Sequence, residues 1–200
     1  MGDLIWYVAY GSNLSRARLQ AYLDRGPDPT PPRVDRPVVI GHDLFFAGES
    51  VIWGGGRGYV DHAPLDPPAT LARAWLLTRA QWAALHARES GPGHYTGTDP
   101  GTLAKGEVRV VGKGRYDALI GLGHHEGVPV VTFTGPDRLD LTTCTRPDAA
   151  YLRAIATGLA EAHGLTVDRV AAYLASRPGM ADHWTTDELL AALGAGTGPG

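Results

Sequence analysis

The chain is short of every feature that would tie it to an oxidising compartment, a membrane or a polyanion. One residue in 200 is cysteine, Cys144, so no disulfide closes within the chain. No apolar run nears the roughly 20 residues that span a bilayer. The first residues form neither a basic segment nor the apolar stretch of a secretory leader, and Trp6 stands where N-myristoylation needs Ser or Thr. Charge is nearly balanced, with 18 Lys and Arg against 21 Asp and Glu and a net charge of −3, so the basic footprint of a nucleic-acid binder is missing. These absences lead us to expect a cytoplasmic protein with neither nucleic acid nor membrane as partner.

What is present suits one globular domain. Hydrophobic residues make up 44% and charged residues 20%, enough for a core that needs no disulfide or metal staple. We expect a single domain over 1–193 and a loose Gly-rich tail over 194–200. The 27 Gly and 15 Pro are scattered between apolar runs and form no low-complexity tract, so turns are many and loops shape a site.

The most telling stretch is Trp6-Tyr7-Val8-Ala9-Tyr10-Gly11-Ser12-Asn13-Leu14. A strand-like run stops at Gly-Ser-Asn and a helical pattern starts within three residues. A strand that turns tightly into a helix leaves the first N–H groups of that helix unpaired, and their partial positive charge favours a carboxylate or an oxyanion. Gly11 admits a ligand close to the backbone, and Ser12 or Asn13 suits the cap. The same residues also serve an ordinary strand-to-helix turn.

Along the chain, Leu14, Leu19, Tyr22 and Leu23 fall at helical spacing until Gly26. Pro37 to Phe46 reads as strand, turn, strand, and Trp53 with Gly54 to Gly58 introduces Tyr59-Val60. Leu71 to Leu77 is strand-like, with Thr78 the expected N-cap of a helix ending near Glu89-Ser90-Gly91. Strands follow at Val108 to Val111 and Pro129 to Phe133, separated by the glycine-rich segment Gly121 to Gly127. Helices over Asp148 to His163 and Val167 to Ser176, then one opened by the capping box Thr185 to Glu188, complete an α+β pattern.

Glu89 is the carboxylate that stands out. A carboxylate at the negative end of a helix is disfavoured in its ionised form, which raises its pKa and suits proton transfer near neutral pH. Position alone also fits a solvated surface Glu. Other constellations are weaker. Ser12 lacks the second Gly of a Gly-x-Ser-x-Gly elbow, and Gly54 to Gly58 lacks the Gly-Lys-Ser/Thr ending of a phosphate loop. His124-His125-Glu126 has no second ligand pair and reads as a polar loop between strands, so no metal is expected. Cys144 reads as an inert thiol.

Tyr10-Gly11-Ser12-Asn13-Leu14 after an apolar strand closely resembles the opening motif of the gamma-glutamylcyclotransferase family. Glu89, followed by a Gly-rich turn and Tyr95, is similar to that family's catalytic Glu and the Tyr beyond it. Here Ser90 stands where Gly is usual, and the spacing to Tyr95 is about one residue shorter. Pro147-Asp148-Ala149-Ala150-Tyr151 resembles the family's Pro-x-x-x-Tyr helix, whose Tyr lines the substrate pocket, and Trp53-Gly54-Gly55-Gly56 is similar to its glycine-rich strand start. The resemblance implies a mixed β-barrel-like sheet flanked by helices. It implies Glu89 as acid–base catalyst, with Val8, Ala9, Tyr10, Gly11, Ser12, Asn13, Tyr95 and Tyr151 around a small-molecule γ-glutamyl substrate. The implied reaction releases 5-oxoproline and a free amine with no cofactor. Two alternatives remain at this stage: removal of a γ-glutamyl protecting group from a specialised metabolite, and a non-catalytic module that binds a small carboxylate.

Overall fold

The run Leu4–Ala9 has no charged side chain because it forms β1, a central strand buried on both faces. In the computed structural model, which describes residues 3–92, 94 and 97–195, period-two alternation divides it cleanly. Ile5, Tyr7 and Ala9 join Trp75, Leu77, Trp82 and Leu85 on one face. Trp6, Val8 and Tyr10 join Leu152, Ile155 and Leu159 on the other.

The remaining strands are β2 (Asp35–Ile40), β3 (Leu44–Ala47), β4 (Arg57–Val60), β5 (Thr70–Thr78), β6 (Val108–Val110), β7 (Ala118–His125) and β8 (Val128–Thr134). Six of them form one sheet in the order β2-β5-β1-β8-β7-β6, while β3 and β4 pair separately. β1 runs antiparallel to β5, from Leu4 opposite Thr78 to Ala9 opposite Arg73, and parallel to β8 through Tyr7 and Val131. The sheet is the expected mixed one, and it is open, with β2 and β6 at its edges and no closure into a barrel.

Five helices flank it: α1 (Arg16–Leu23), α2 (Arg79–Ser90), α3 (Ala149–His163), α4 (Val167–Ala175) and α5 (Thr186–Gly194). Among the described residues none is long and apolar enough to cross a membrane. Local chemistry sets their ends. Thr78 and Gln81 form a capping box at α2, Asp148 accepts from the Ala150 N–H at α3, and Gly164 closes α3 at φ 64°. Burying each Leu or Ile of α3 contributes roughly 1.5–3 kcal/mol, so packing on β1 holds this helix more than propensity does.

Pro37 to Phe46 gives strand, turn, strand as expected, with β2 paired to β5 and β3 to β4. One expectation about the strands changes. Gly121 to Gly127 is no spacer, because β7 runs through it to His125. Its glycines serve close approach and a bulge. A Cβ at Gly121 would meet Leu103 Cβ at 2.9 Å, and the register shifts between Gly121 and Gly123. Glu126 (φ 52°) and Gly127 (φ 76°) then form a two-residue hairpin turn with both residues left-handed. His124 and His125 therefore belong to a strand end, and the His125 ring meets Trp6 edge-on.

Two devices lock α3 to the turn after β1. Arg73, only 4% exposed, donates to the Leu14 carbonyl, to Glu161 of α3 and to Asp35 of β2. Such a buried guanidinium is tolerable only with its partners in place. At Gly158 a Cβ would lie 2.5 Å from both Leu14 C and Ser15 N. Gly158→Ala should therefore cost at least about 2 kcal/mol through overpacking, read as a lower urea midpoint. An unchanged midpoint would show that the contact can relax.

Candidate active site

β1 ends at Ala9, and the next residues close one side of a cavity of about 400 Å3. The expected junction into an α-helix takes another form. Ser12–Leu14 make a 3-10 turn in which the Leu14 N–H donates to the Gly11 carbonyl, and α1 starts at Arg16. Neither Ser12 nor Asn13 caps an α-helix. The N–H groups of Ser12 and Asn13 precede the first hydrogen bond of that turn.

Asn13 spends its side chain differently. It is 5% exposed, and its Nδ2 donates to Glu89 Oε1 at 2.9 Å. Trp75 Nε1 fixes its carbonyl at 3.0 Å. The Oδ1 atom is buried and has no hydrogen-bond partner among the described residues, an uncommon state for a buried polar atom.

Glu89 is the penultimate residue of α2 and lines the cavity. Burial pushes its pKa up, while hydrogen bonds from Asn13 and Tyr22 and the charges of Arg18 and Arg115 pull it down less strongly. The helix end places this carboxyl, but enclosure is what perturbs it. Tyr22 is pushed up to about 12, first by burial and then by the Glu89 charge. Tyr7 is raised further for the same two reasons. Both phenols therefore stay protonated at neutral pH.

Tyr151 reaches the cavity from α3. Its hydroxyl accepts from the Gly58 N–H at 3.1 Å, and its ring meets Phe46 edge-on and lies against Trp53. A Cβ at Gly11 or at Gly58 would come within 2.9 Å of that hydroxyl. These two glycines leave room for one phenol between the turn and β4.

No family model matches the sequence, and no curated protein matches it. Among solved structures, one described as a gamma-glutamyl cyclotransferase superposes with a TM-score of 0.55 at 16% identity, covering 97% of this chain and 100% of that one. An uncharacterized protein from Homo sapiens superposes with a TM-score of 0.52, also at 16% identity, covering 94% of this chain and 99% of that one. The fold is gamma-glutamylcyclotransferase-like. At this identity the likeness is one of fold.

Within this gamma-glutamylcyclotransferase-like fold, Tyr10, Gly11, Ser12, Asn13, Glu89 and Tyr151 come together at the cavity. Val8 and Ala9 do not: both are strand residues at most 1% exposed, one packed toward α3 and the other toward α2. The Val8 carbonyl is occupied by the Thr132 hydroxyl at 2.7 Å. Tyr95 lies outside the described residues. Sequence reasoning missed Tyr22 and the arginines of the wall. Only the spacing of Arg18 and Tyr22, one helical turn apart on α1, carried a signal for them.

Behind the cavity wall, His86, His94 and Asp117 bring ligand atoms within 4.8 Å of one another. Their hydrogen bonds do not suit a metal. His86 Nε2 lies 2.8 Å from the Tyr116 carbonyl, which only accepts, so that nitrogen carries the proton. Asp117 takes His94 Nδ1 at 2.6 Å and the Gly114 N–H at 2.8 Å. The group is a polar clamp beneath Phe133, on which the His86 ring stacks.

Burial lowers the His86 pKa from 6.5 to about 4. The fold therefore holds this ring neutral, with its stabilising effect complete above pH 6.5 and lost as pH falls toward 4. The loss attributable to His86 is about 3 kcal/mol over that window, and His42, also lowered by burial, adds in the same sense. Urea denaturation of wild type and His86→Gln between pH 7 and 4.5 should show the shallower decline in the variant. Equal slopes would remove His86 as the cause.

Proposed function

We propose that the protein cleaves a γ-glutamyl amide by intramolecular cyclisation, releasing 5-oxoproline and a free amine. The observation that carries this reading is the Asn13–Glu89 pair at the cavity wall: a carboxyl with a raised pKa beside a buried, unpartnered amide oxygen. That pairing suits an α-ammonium group, which gives a proton to Glu89 while Asn13 holds the carboxyl in place.

Glu89 acts twice. Its carboxylate takes a proton from the α-ammonium, and the freed amine nitrogen attacks the γ-carbonyl carbon of the same molecule. A C–N bond forms and the carbonyl electrons move to oxygen, where N–H groups of the 11–13 turn stabilise the charge. As the tetrahedral intermediate collapses, protonated Glu89 returns its proton to the departing nitrogen, the carbonyl re-forms and the original amide C–N bond breaks; the ring nitrogen gives up its second proton to solvent, from which the freed amine takes one up. Since nucleophile and electrophile share one molecule, the cavity has mainly to fold the substrate. Effective molarity supplies much of the acceleration. Tyr10, Gly11, Ser12 and Tyr151 shape the space in which the ring closes.

The non-catalytic alternative sits poorly with this wall, since a carboxylate receptor gains nothing from a second carboxylate facing its ligand. Glu89→Gln keeps the size and the acceptor for Asn13, and it removes a charge that burial disfavours. It should fold with a thermal midpoint no lower than wild type at pH 8, yet lose at least about a thousandfold in 5-oxoproline release. Mass-detected chromatography of γ-glutamyl dipeptide digests reads this directly, and retained turnover would remove Glu89 from the chemistry. The base form is the ionised one, so wild-type kcat/KM should fall with decreasing pH through an ionisation above 4.5, the ordinary Glu value. A profile flat down to that pH would contradict a Glu89 base.

A further inference from the structure

Asn13 holds the Glu89 carboxyl from one side only. Glu89 is followed by Ser90 and then by Gly91 and Pro92, where α2 ends, so the far side of the residue has to be held from outside the helix. The turn between β6 and β7 meets it there. The Arg115 N–H donates to the Ser90 carbonyl at 2.9 Å, and a Cβ at Gly114 would lie 2.8 Å from the Ser90 Cβ. The Arg115 guanidinium then crosses to Gly91, where a Cβ would come within 2.6 Å of it.

One carboxylate ties this junction together. Asp117 is fully buried and accepts from the Gly114 N–H at 2.8 Å with one oxygen and from His94 Nδ1 at 2.6 Å with the other. Its own backbone carbonyl takes the Val111 N–H at 2.7 Å, which anchors it in the β6–β7 hairpin. The His94 side chain is 8% exposed, and its N–H returns to the Gly91 carbonyl at 3.2 Å. Asp117 thus joins the turn that carries Arg115 to the chain that leaves Glu89. A buried carboxylate is tolerated only while its oxygens are hydrogen-bonded, so the junction holds as a unit. Neither His94 nor Asp117 lines the cavity.

We propose that His94 and Asp117 are positioning residues for Glu89: their hydrogen bond seats the end of α2 against the β6–β7 turn and so fixes both the carboxyl and the Arg115 charge beside it. The reaction they serve rests on the γ-glutamyl reading. Glu89 faces Tyr7 of β1, Arg18 and Tyr22 of α1, Tyr151 of α3, and Arg115 and Tyr116 of the turn. Of the two cations among these, the clasp carries Arg115. Its charge pulls the Glu89 pKa down, so releasing the clasp lets that pKa rise further.

The test uses the intact protein with two substitutions. His94→Phe keeps a ring and removes the donor to Asp117, while His94→Asn returns an N–H close to where Nδ1 stands. Three readouts are taken: kcat and KM for 5-oxoproline release from γ-glutamylalanine at pH 8, the pH profile of kcat/KM, and the Glu89 carboxyl midpoint. Carbon-13 NMR gives the last, with the Glu89 signal assigned by its absence from Glu89→Gln. We expect His94→Phe to lower kcat by about ten- to a hundredfold with KM little changed, and to move both the acid limb and the Glu89 midpoint to higher pH. His94→Asn should recover most of the loss in all three. A lower thermal midpoint with kcat, acid limb and Glu89 midpoint unchanged would make the clasp structural alone and overturn the proposal. A rise in KM alone, or a loss that His94→Asn does not recover, would overturn it as well. Should the wild type release no 5-oxoproline from any γ-glutamyl compound, the reaction reading fails and the NMR midpoint still decides the clasp: a higher value in His94→Phe upholds it, and equal values overturn it.

Discussion

The hydrogen bond from Asn13 to Glu89 joins two parts of the chain 76 residues apart, and most of the cavity is arranged around it. One partner stands on the turn that ends the central strand, the other at the end of the helix that packs beneath that strand. Position is thereby set by β1 and α2, both fixed in the core. The bond also decides the electrostatics. Its donor favours the carboxylate, as does the hydrogen bond from Tyr22, yet burial outweighs both and the two nearby guanidinium charges. The outcome is a carboxyl that exchanges a proton more readily than a solvated Glu does near neutral pH.

Local signals in the sequence were the ones that survived folding. Thr78 and the Thr185 to Glu188 box each act within four residues and cap their helices as read, while Asp148, read as the first residue of its helix, is its N-cap. The β1 run and the end of α2 at Glu89 were likewise legible, because burial on both faces and a Ser-Gly-Pro break leave marks in adjacent residues. The misread elements depend on distant partners. Gly121 looks like a loop residue until Leu103 and Ala104 pack over it. Strands β2 and β3 were legible as strands, but their pairing was not: β5 offers β2 a full-length partner and draws it into the other sheet.

The candidate site shows the same division. Tyr10 to Asn13, Glu89 and Tyr151 carry local motifs and line one cavity, whereas its five arginines, Arg18, Arg25, Arg57, Arg88 and Arg115, come from α1, the segment after it, β4, α2 and the turn before β7. No short pattern announces that such residues share a cavity. Even at Glu89 the sequence located the residue and misjudged the cause of its pKa, since the helix end is visible in the chain and the burial is not. Val8 and Ala9 fell the other way: they adjoin the motif, but strand alternation sends both side chains into the core.

The 11–14 turn depends on α3 at both of its ends. Gly11 lies against the Tyr151 hydroxyl, and Leu14 lies against Gly158. Tyr151 and Gly158 are seven residues apart, two helical turns along one face and about 10 Å in rise, so one helix presents a phenol to the start of the turn and a gap to its finish. A side chain at Gly158 would lift α3 at that end and tilt Tyr151 away from Gly58, opening the cavity on the β4 side. Arg73 works against such a tilt by holding Leu14 and Glu161 together. The shape of the cavity is therefore set by how tightly α3 seats on the chain, and a substitution far from Glu89 reaches the cavity by that route.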